Sequence, residues 1–226
     1  LAVARWDYQV GISVLEGGSL EPSDLVPAGP FVGEDLAWAG DTLLYAVLSP
    51  ANNLPAIWAL RRGESSPEEL IGNAYSPAAT PDGQTIVFSR VQDDRRGIWR
   101  ADRDGRGAVE VGTSASGRVT VTPDGEQALY LSLESGVQSV WSVPLAGGTP
   151  VQIANVYAFQ PVPSPDGRML AFVSLDSDRR PVIAVCEVSD CSSRRTIPLP
   201  RRPAALQWTP DGRGLAYATL SNIWVQ

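Results

Sequence analysis

The sequence predicts an all-β fold, a β-propeller of four-stranded blades. Three observations carry that prediction. The tripeptide Pro-Asp-Gly recurs at positions 81–83, 123–125, 165–167 and 210–212, at spacings of 42, 42 and 45 residues. Six residues beyond each aspartate stands an aromatic within an apolar run: Phe88, Tyr130, Phe172 and Tyr217. No segment shows a helical period. A four-stranded unit of roughly 40–45 residues is a propeller blade.

Each part of the unit has a physical reason. Pro-Asp-Gly is a turn: proline presets φ, aspartate bonds nearby backbone amides, and glycine accepts positive φ. Runs such as Thr85-Ile86-Val87-Phe88 and Leu170-Ala171-Phe172-Val173 are strands with at least one buried face. A second apolar strand is marked by Trp58, Trp99, Trp141 and Trp224, with Ile183 in that place in the unit of Phe172. Turn clusters follow, such as Asp102-Arg103-Asp104-Gly105, and then a weaker strand such as Val151-Gln152-Ile153. Tyr45 is the aromatic of an earlier unit, whose turn has degenerated to Ala39-Gly40-Asp41. The layout is a six-bladed wheel in one domain, residues 1–226. Residues 1–30 form a blade lacking its innermost strand. Residues 31–73, 74–115, 116–156 and 157–200 form complete blades, and 201–226 a last blade that stops before its outer strand. Both ends read as strand, so the chain is expected to be part of a longer protein.

Composition narrows the chemistry. The chain holds no histidine, and its 18 basic residues are all arginine. His-based triads, His general bases and His-ligated metals are thereby excluded within it. A formal charge of −7 argues against a nucleic-acid partner. No apolar run reaches the roughly 20 residues of a membrane span, so any membrane tether is expected outside this sequence. No Gly-x-Ser-x-Gly elbow occurs.

The unit Ser/Thr-Pro-Asp-Gly, a strand like Leu170-Ala171-Phe172, then Ile/Val-Trp resembles the TolB-type propeller repeat of bacteria. The run Trp208-Thr209-Pro210-Asp211-Gly212 through Tyr217, followed by Ile223-Trp224, carries the resemblance most clearly. It covers nearly the whole chain and is weakest in residues 1–35. It implies a propeller outside the cytoplasm, periplasmic or extracellular in the cell envelope, that docks other proteins or serves as a sensor. Similar propellers also gate prolyl-oligopeptidase-like peptidases, which is the alternative reading. The Pro-Asp-Gly motif does no chemistry in these proteins, and the fold alone does not name one function.

The candidate sites follow. The four aspartates are expected to cap their own turns, a blade width apart, rather than to ring a metal. No cofactor and no catalytic residue is expected. Cys186 and Cys191 flank a four-residue turn, which favours a disulfide over free thiols or half a zinc site, and hence an oxidising compartment. Such a small ring would pin a loop. The recurring tryptophans, with Trp38 and Trp208 on the innermost strands, are expected to pack between blades. Trp6 has no counterpart. The paired arginines at 61–62, 95–96, 179–180, 194–195 and 201–202 read as solvated surface. A protein partner is expected at the channel mouth, on loops that join one blade's outer strand to the next blade's inner strand. Those loops contribute Tyr75, Arg118, Tyr157, Phe159, Gln160 and Arg202.

Overall fold

The computed structural model describes residues 10–14, 23–29, 31–218 and 223–225. Every regular element in them is a strand. Four sheets have four strands each, joined as antiparallel meanders from the channel outward. They are β3–β6 (Phe31–Ala39, Thr42–Leu48, Pro55–Arg61, Glu68–Gly72) and β7–β10 (Ala74–Ala79, Thr85–Gln92, Arg95–Asp102, Val109–Thr113). Next come β11–β14 (Ala115–Val121, Gln127–Ser132, Ser139–Pro144, Val151–Ala154) and β15–β18 (Phe159–Pro163, Met169–Leu175, Pro181–Glu187, Arg195–Pro198). A three-stranded sheet, β19–β21 (Ala205–Trp208, Leu215–Ala218, Ile223–Val225), follows, and a two-stranded one, β1–β2 (Val10–Val14, Ser23–Gly29), precedes. Among the described residues no helix is long and apolar enough to cross a membrane.

The core lies between sheets. Tyr45, Phe88, Tyr130, Phe172 and Tyr217 are all buried, and each points at the preceding sheet. Phe88 meets Leu44, Ile57 and Ile71 of the sheet before it, and Phe172 meets Leu129, Leu131 and Val140. Complete burial of such a side chain is worth about 2 kcal/mol, so each aromatic, with the aliphatic residues around it, helps fasten one blade to the next. Burial leaves the Tyr45 and Tyr130 hydroxyls costly to ionise and pushes both up to about 12.

The tryptophans sit beside these aromatics in register. Tyr45 pairs with Trp58, Phe88 with Trp99 and Tyr130 with Trp141. All three indoles are partly buried against the inter-sheet layer, and Trp141 Nε1 donates to Ser139 Oγ at 3.0 Å. In the last sheet Tyr217 pairs with Trp224. Trp6 lies outside the described residues. The fifth sheet corrects the sequence reading. Phe172 pairs with Ala184, not with Ile183, which pairs with Val173 and faces the following sheet.

Cys186 and Cys191 form a disulfide, their Cα atoms 5.0 Å apart. Cys186 is the penultimate residue of β17, and Cys191 lies in the loop before β18, so the pair does not face across a tight hairpin. Both sulfurs are buried in the same layer as Phe172, Ala184 and Leu129, with Val188 alongside. The bridge therefore fills core as well as pinning a loop.

Candidate functional site

A meander from the channel outward sorts its connections onto two faces. Turns from first to second strand and from third to fourth fall on one face. Second-to-third hairpins and crossings to the next blade fall on the other.

The first face is tied together by a repeated set of bonds. Each Pro-Asp-Gly aspartate accepts from the Ser or Thr two residues before it: Thr80 to Asp82, Thr122 to Asp124 and Ser164 to Asp166 at 2.5 Å, and Thr209 to Asp211 at 2.6 Å. Each also accepts the backbone N–H two residues on, at 3.0–3.1 Å. These hydroxyl and amide donors hold all four carboxyls below the usual aspartate range. Among the described residues no group of three metal-ligating side chains converges.

Each aspartate is thus held within its own turn, and neighbouring turns approach one another through glycine and proline. A Cβ on Gly125, Gly167 or Gly212 would lie 3.4, 3.7 or 3.5 Å from Cδ of the preceding turn's proline. Gly83 is tighter still, because the turn before it is the two-residue loop Gly40-Asp41. A Cβ there would come 2.6 Å from the Gly40 nitrogen and 2.9 Å from the Ala39 carbonyl carbon. Each motif glycine is thus a close-approach point between blades as well as a turn residue at positive φ.

The opposite face is built differently. Among the described residues, eight non-glycine residues have positive φ, and all eight lie there: Asn53, Asn73, Ser76, Asp93, Asp94, Ser114, Gln160 and Arg179. Ser76 and Gln160 occupy one repeat position, two blades apart, and each precedes a proline (Pro77, Pro161). Of the eleven glycines with positive φ, only Gly136 is on this face. Its hairpins carry four exposed large apolar side chains, Leu54, Leu133, Val137 and Leu175, while Val109 and Val151, the first residues of β10 and β14, are exposed beside the turns of the Pro-Asp-Gly face.

Between the faces runs the channel, a cavity of about 410 Å³ walled by β3, β7, β11, β15 and β19. Its wall brings together two of the six rim residues expected from sequence, Arg118 and Gln160. Gln160 is buried; its Nε2 donates to the Ala204 carbonyl, while its Oε1 has no hydrogen-bond partner among the described residues. Arg202 does not line the wall. Its guanidinium lies 3.7 Å from the centre of the Phe159 ring, so residues 159–160 clasp the 202–204 crossing twice. Tyr157 and Tyr75 are not wall residues either. The Tyr157 carbonyl accepts from Ser174 Oγ at 2.7 Å, and the Tyr75 hydroxyl is buried, which raises its pKa against the opposing pull of Arg96.

Sequence reasoning missed two wall residues. Leu36 and Trp38 of β3 are 51% and 44% exposed, against the expectation that Trp38 packs between blades. Trp208, at the same repeat position, keeps to that expectation: its Nε1 donates to the Val162 carbonyl of the preceding inner strand at 3.0 Å. The sheet before Trp38 contributes no strand to the channel wall among the described residues. The clue in the sequence was the incomplete first unit.

These features define a β-propeller with a TolB-like fold. A solved structure of TolB from Acinetobacter baumannii superposes with a TM-score of 0.79 at 16% identity, over 96% of this chain and 56% of that one. The present chain thus spans little more than half of that TolB. A nidogen/laminin complex gives 0.73 at 15% identity, covering 96% and 85% of the two chains. A putative TolB from Agrobacterium tumefaciens gives 0.67 at 20%, covering 90% and 81%. No protein-family model and no curated protein matches the sequence.

Proposed function

We propose that this propeller is a non-catalytic, extracytoplasmic interaction module that docks a protein partner on the face carrying the hairpin tips and blade crossings. The observation that carries the reading is the asymmetry of the two faces. Strained, non-glycine backbone collects at functional surfaces, where the surrounding fold holds it in place. Here that backbone shares a face with Leu54, Leu133, Val137 and Leu175, whereas on the Pro-Asp-Gly face positive φ falls on glycines among the described residues. An apolar set within a polar, partly charged surface is the composition of a docking site. The buried disulfide supports an oxidising compartment such as the periplasm or the cell exterior. One of the similar structures is itself a protein complex, which agrees with docking.

Site-specific photo-crosslinking tests this. A benzophenone amino acid is placed at Leu133 or Leu175 in one set of variants and at Gln84, on the opposite face, in another. Discrete protein adducts from the first set alone are the expected result. Equal adducts from both sets, or none from either, overturn the reading.

A further inference from the structure

Charged residues make up 19% of the chain, yet none falls between Glu134 and Asp166. That stretch holds β13, the turn 145–150, β14 and the crossing to β15. β14 is the outermost strand of its sheet and pairs, among the described residues, with β13 alone. Its outer edge therefore presents main-chain N–H and C=O groups with no strand opposite, the kind of edge that proteins usually guard with charge or proline. The outer edges of the other four-stranded sheets are guarded in that way. β6 carries Glu68 and Glu69, β10 carries Glu110, and β18 begins at Arg195 and ends at Pro198. Register sharpens the contrast: Glu69 stands opposite Trp58 and Glu110 opposite Trp99, but Gln152 stands opposite Trp141. An irregularity in pairing is common to β6, β10 and β14, so it does not set β14 apart; the missing charge does. Val151, which opens β14, is 57% exposed.

We infer that the outer edge of β14 is a contact between two copies of this chain. The two β14 strands lie antiparallel across a two-fold axis, so each edge supplies the main-chain partners of the other, and Val151 of each copy is covered by its neighbour. The charge pattern selects a second copy as the occupant. The chain carries a formal −7, so two copies repel one another over most approaches. The uncharged sector is where they meet without setting carboxylate against carboxylate, whereas the same pairing through β6 or β10 would bring glutamates together. Such a contact joins two wheels rim to rim, and it does not depend on the docking face proposed above.

Sedimentation velocity of the purified protein, run from about 1 µM to about 1 mM, tests this. A four-residue strand makes a small interface, so a reversible dimer with a Kd of about 100 µM is expected. Val151→Glu restores to β14 the kind of charge that β6 carries and should raise that Kd at least about tenfold. Val109→Glu is the control. It adds the same charge at the same repeat position, on the already charged β10, and should leave the dimer intact; both valines are exposed, so both variants keep the fold. Added salt should strengthen the dimer, because it screens the repulsion between two acidic chains and the contact itself has no ion pair to lose. A monomer at every concentration overturns the inference. So does a dimer that Val151→Glu leaves unchanged, that Val109→Glu weakens equally, or that salt dissolves.

Discussion

The two faces of the wheel are made from the same repeat and are held by opposite means. Among the described residues of the Pro-Asp-Gly face, every one with positive φ is a glycine, and the turns bond to each other. Arg103 N–H donates to the Gln84 carbonyl, Leu145 to Glu126 and Val188 to Arg168, repeating one tie blade by blade. On the other face, serine, glutamine and arginine hold conformations that glycine would adopt more cheaply, and apolar tips stay in water. A repeat that could minimise strain on both faces does so on one. The difference locates where stability is made and where it is given up.

The largest test of that contrast is Gly83→Ala. The added methyl meets backbone atoms at 2.6 and 2.9 Å, and φ is +66°. Rigid backbone cannot yield as a side-chain tip can, so a loss of about 4 kcal/mol is expected, read as a fall in the urea midpoint. Gly40→Ala, with open space around its Cβ, should cost much less. Equal losses would mean that blade contact is not what Gly83 serves.

Replacing both Cys186 and Cys191 with alanine comes next. The closed ring is short, worth about 2 kcal/mol, and the lost packing beside Phe172 adds about 1 kcal/mol. Calorimetry of the double variant should show the larger loss; a change confined to loop proteolysis would return the bridge to a surface role. The four turn aspartates give a pH test. Their folded pKa values lie below the unfolded value of about 3.8, so their stabilisation is fully present above that pH and fades as pH falls through the lowered values. Replacing all four by asparagine should flatten the acid limb of the stability curve and leave neutral-pH mobility on ion exchange less anionic.

The opposite face should respond with the opposite sign. Arg179→Gly removes an exposed side chain from φ +62° and should stabilise by about 1 kcal/mol. The smallest effect is expected at Leu133→Asp. Its exposed side chain contributes within about 0.5 kcal/mol to stability, while partner capture through that face should be lost.

Much of this was legible in the sequence because it repeats. Turn, aromatic and tryptophan spacings placed the blades within a residue or two, since glycine and proline fix turns locally. The resemblance those motifs carry points to the same fold that the superpositions show. What stayed hidden is non-local. The contact of Gly83 with the Gly40 turn depends on how tightly neighbouring blades pack. The role of Ala184 depends on one residue of strand register, and a register shift swaps the faces of every side chain beyond it. The exposure of Trp38 depends on a neighbour that a single repeat does not contain. Of the rim residues, Arg118 and Gln160 reach the channel wall, while Tyr75 and Phe159, at the starts of β7 and β15, and Tyr157 and Arg202, in the crossings, lie outside it. Sequence places a residue in a loop without saying which way the loop turns.

The position of the Cys186–Cys191 bridge bears on how the molecule matures. Thiol–disulfide exchange needs an oxidant to approach the sulfur, and both sulfurs are enclosed once the fourth and fifth sheets meet. An oxidant therefore reaches these sulfurs more readily before those two sheets dock than after, and in the closed wheel its access runs through opening of the exposed 187–195 loop.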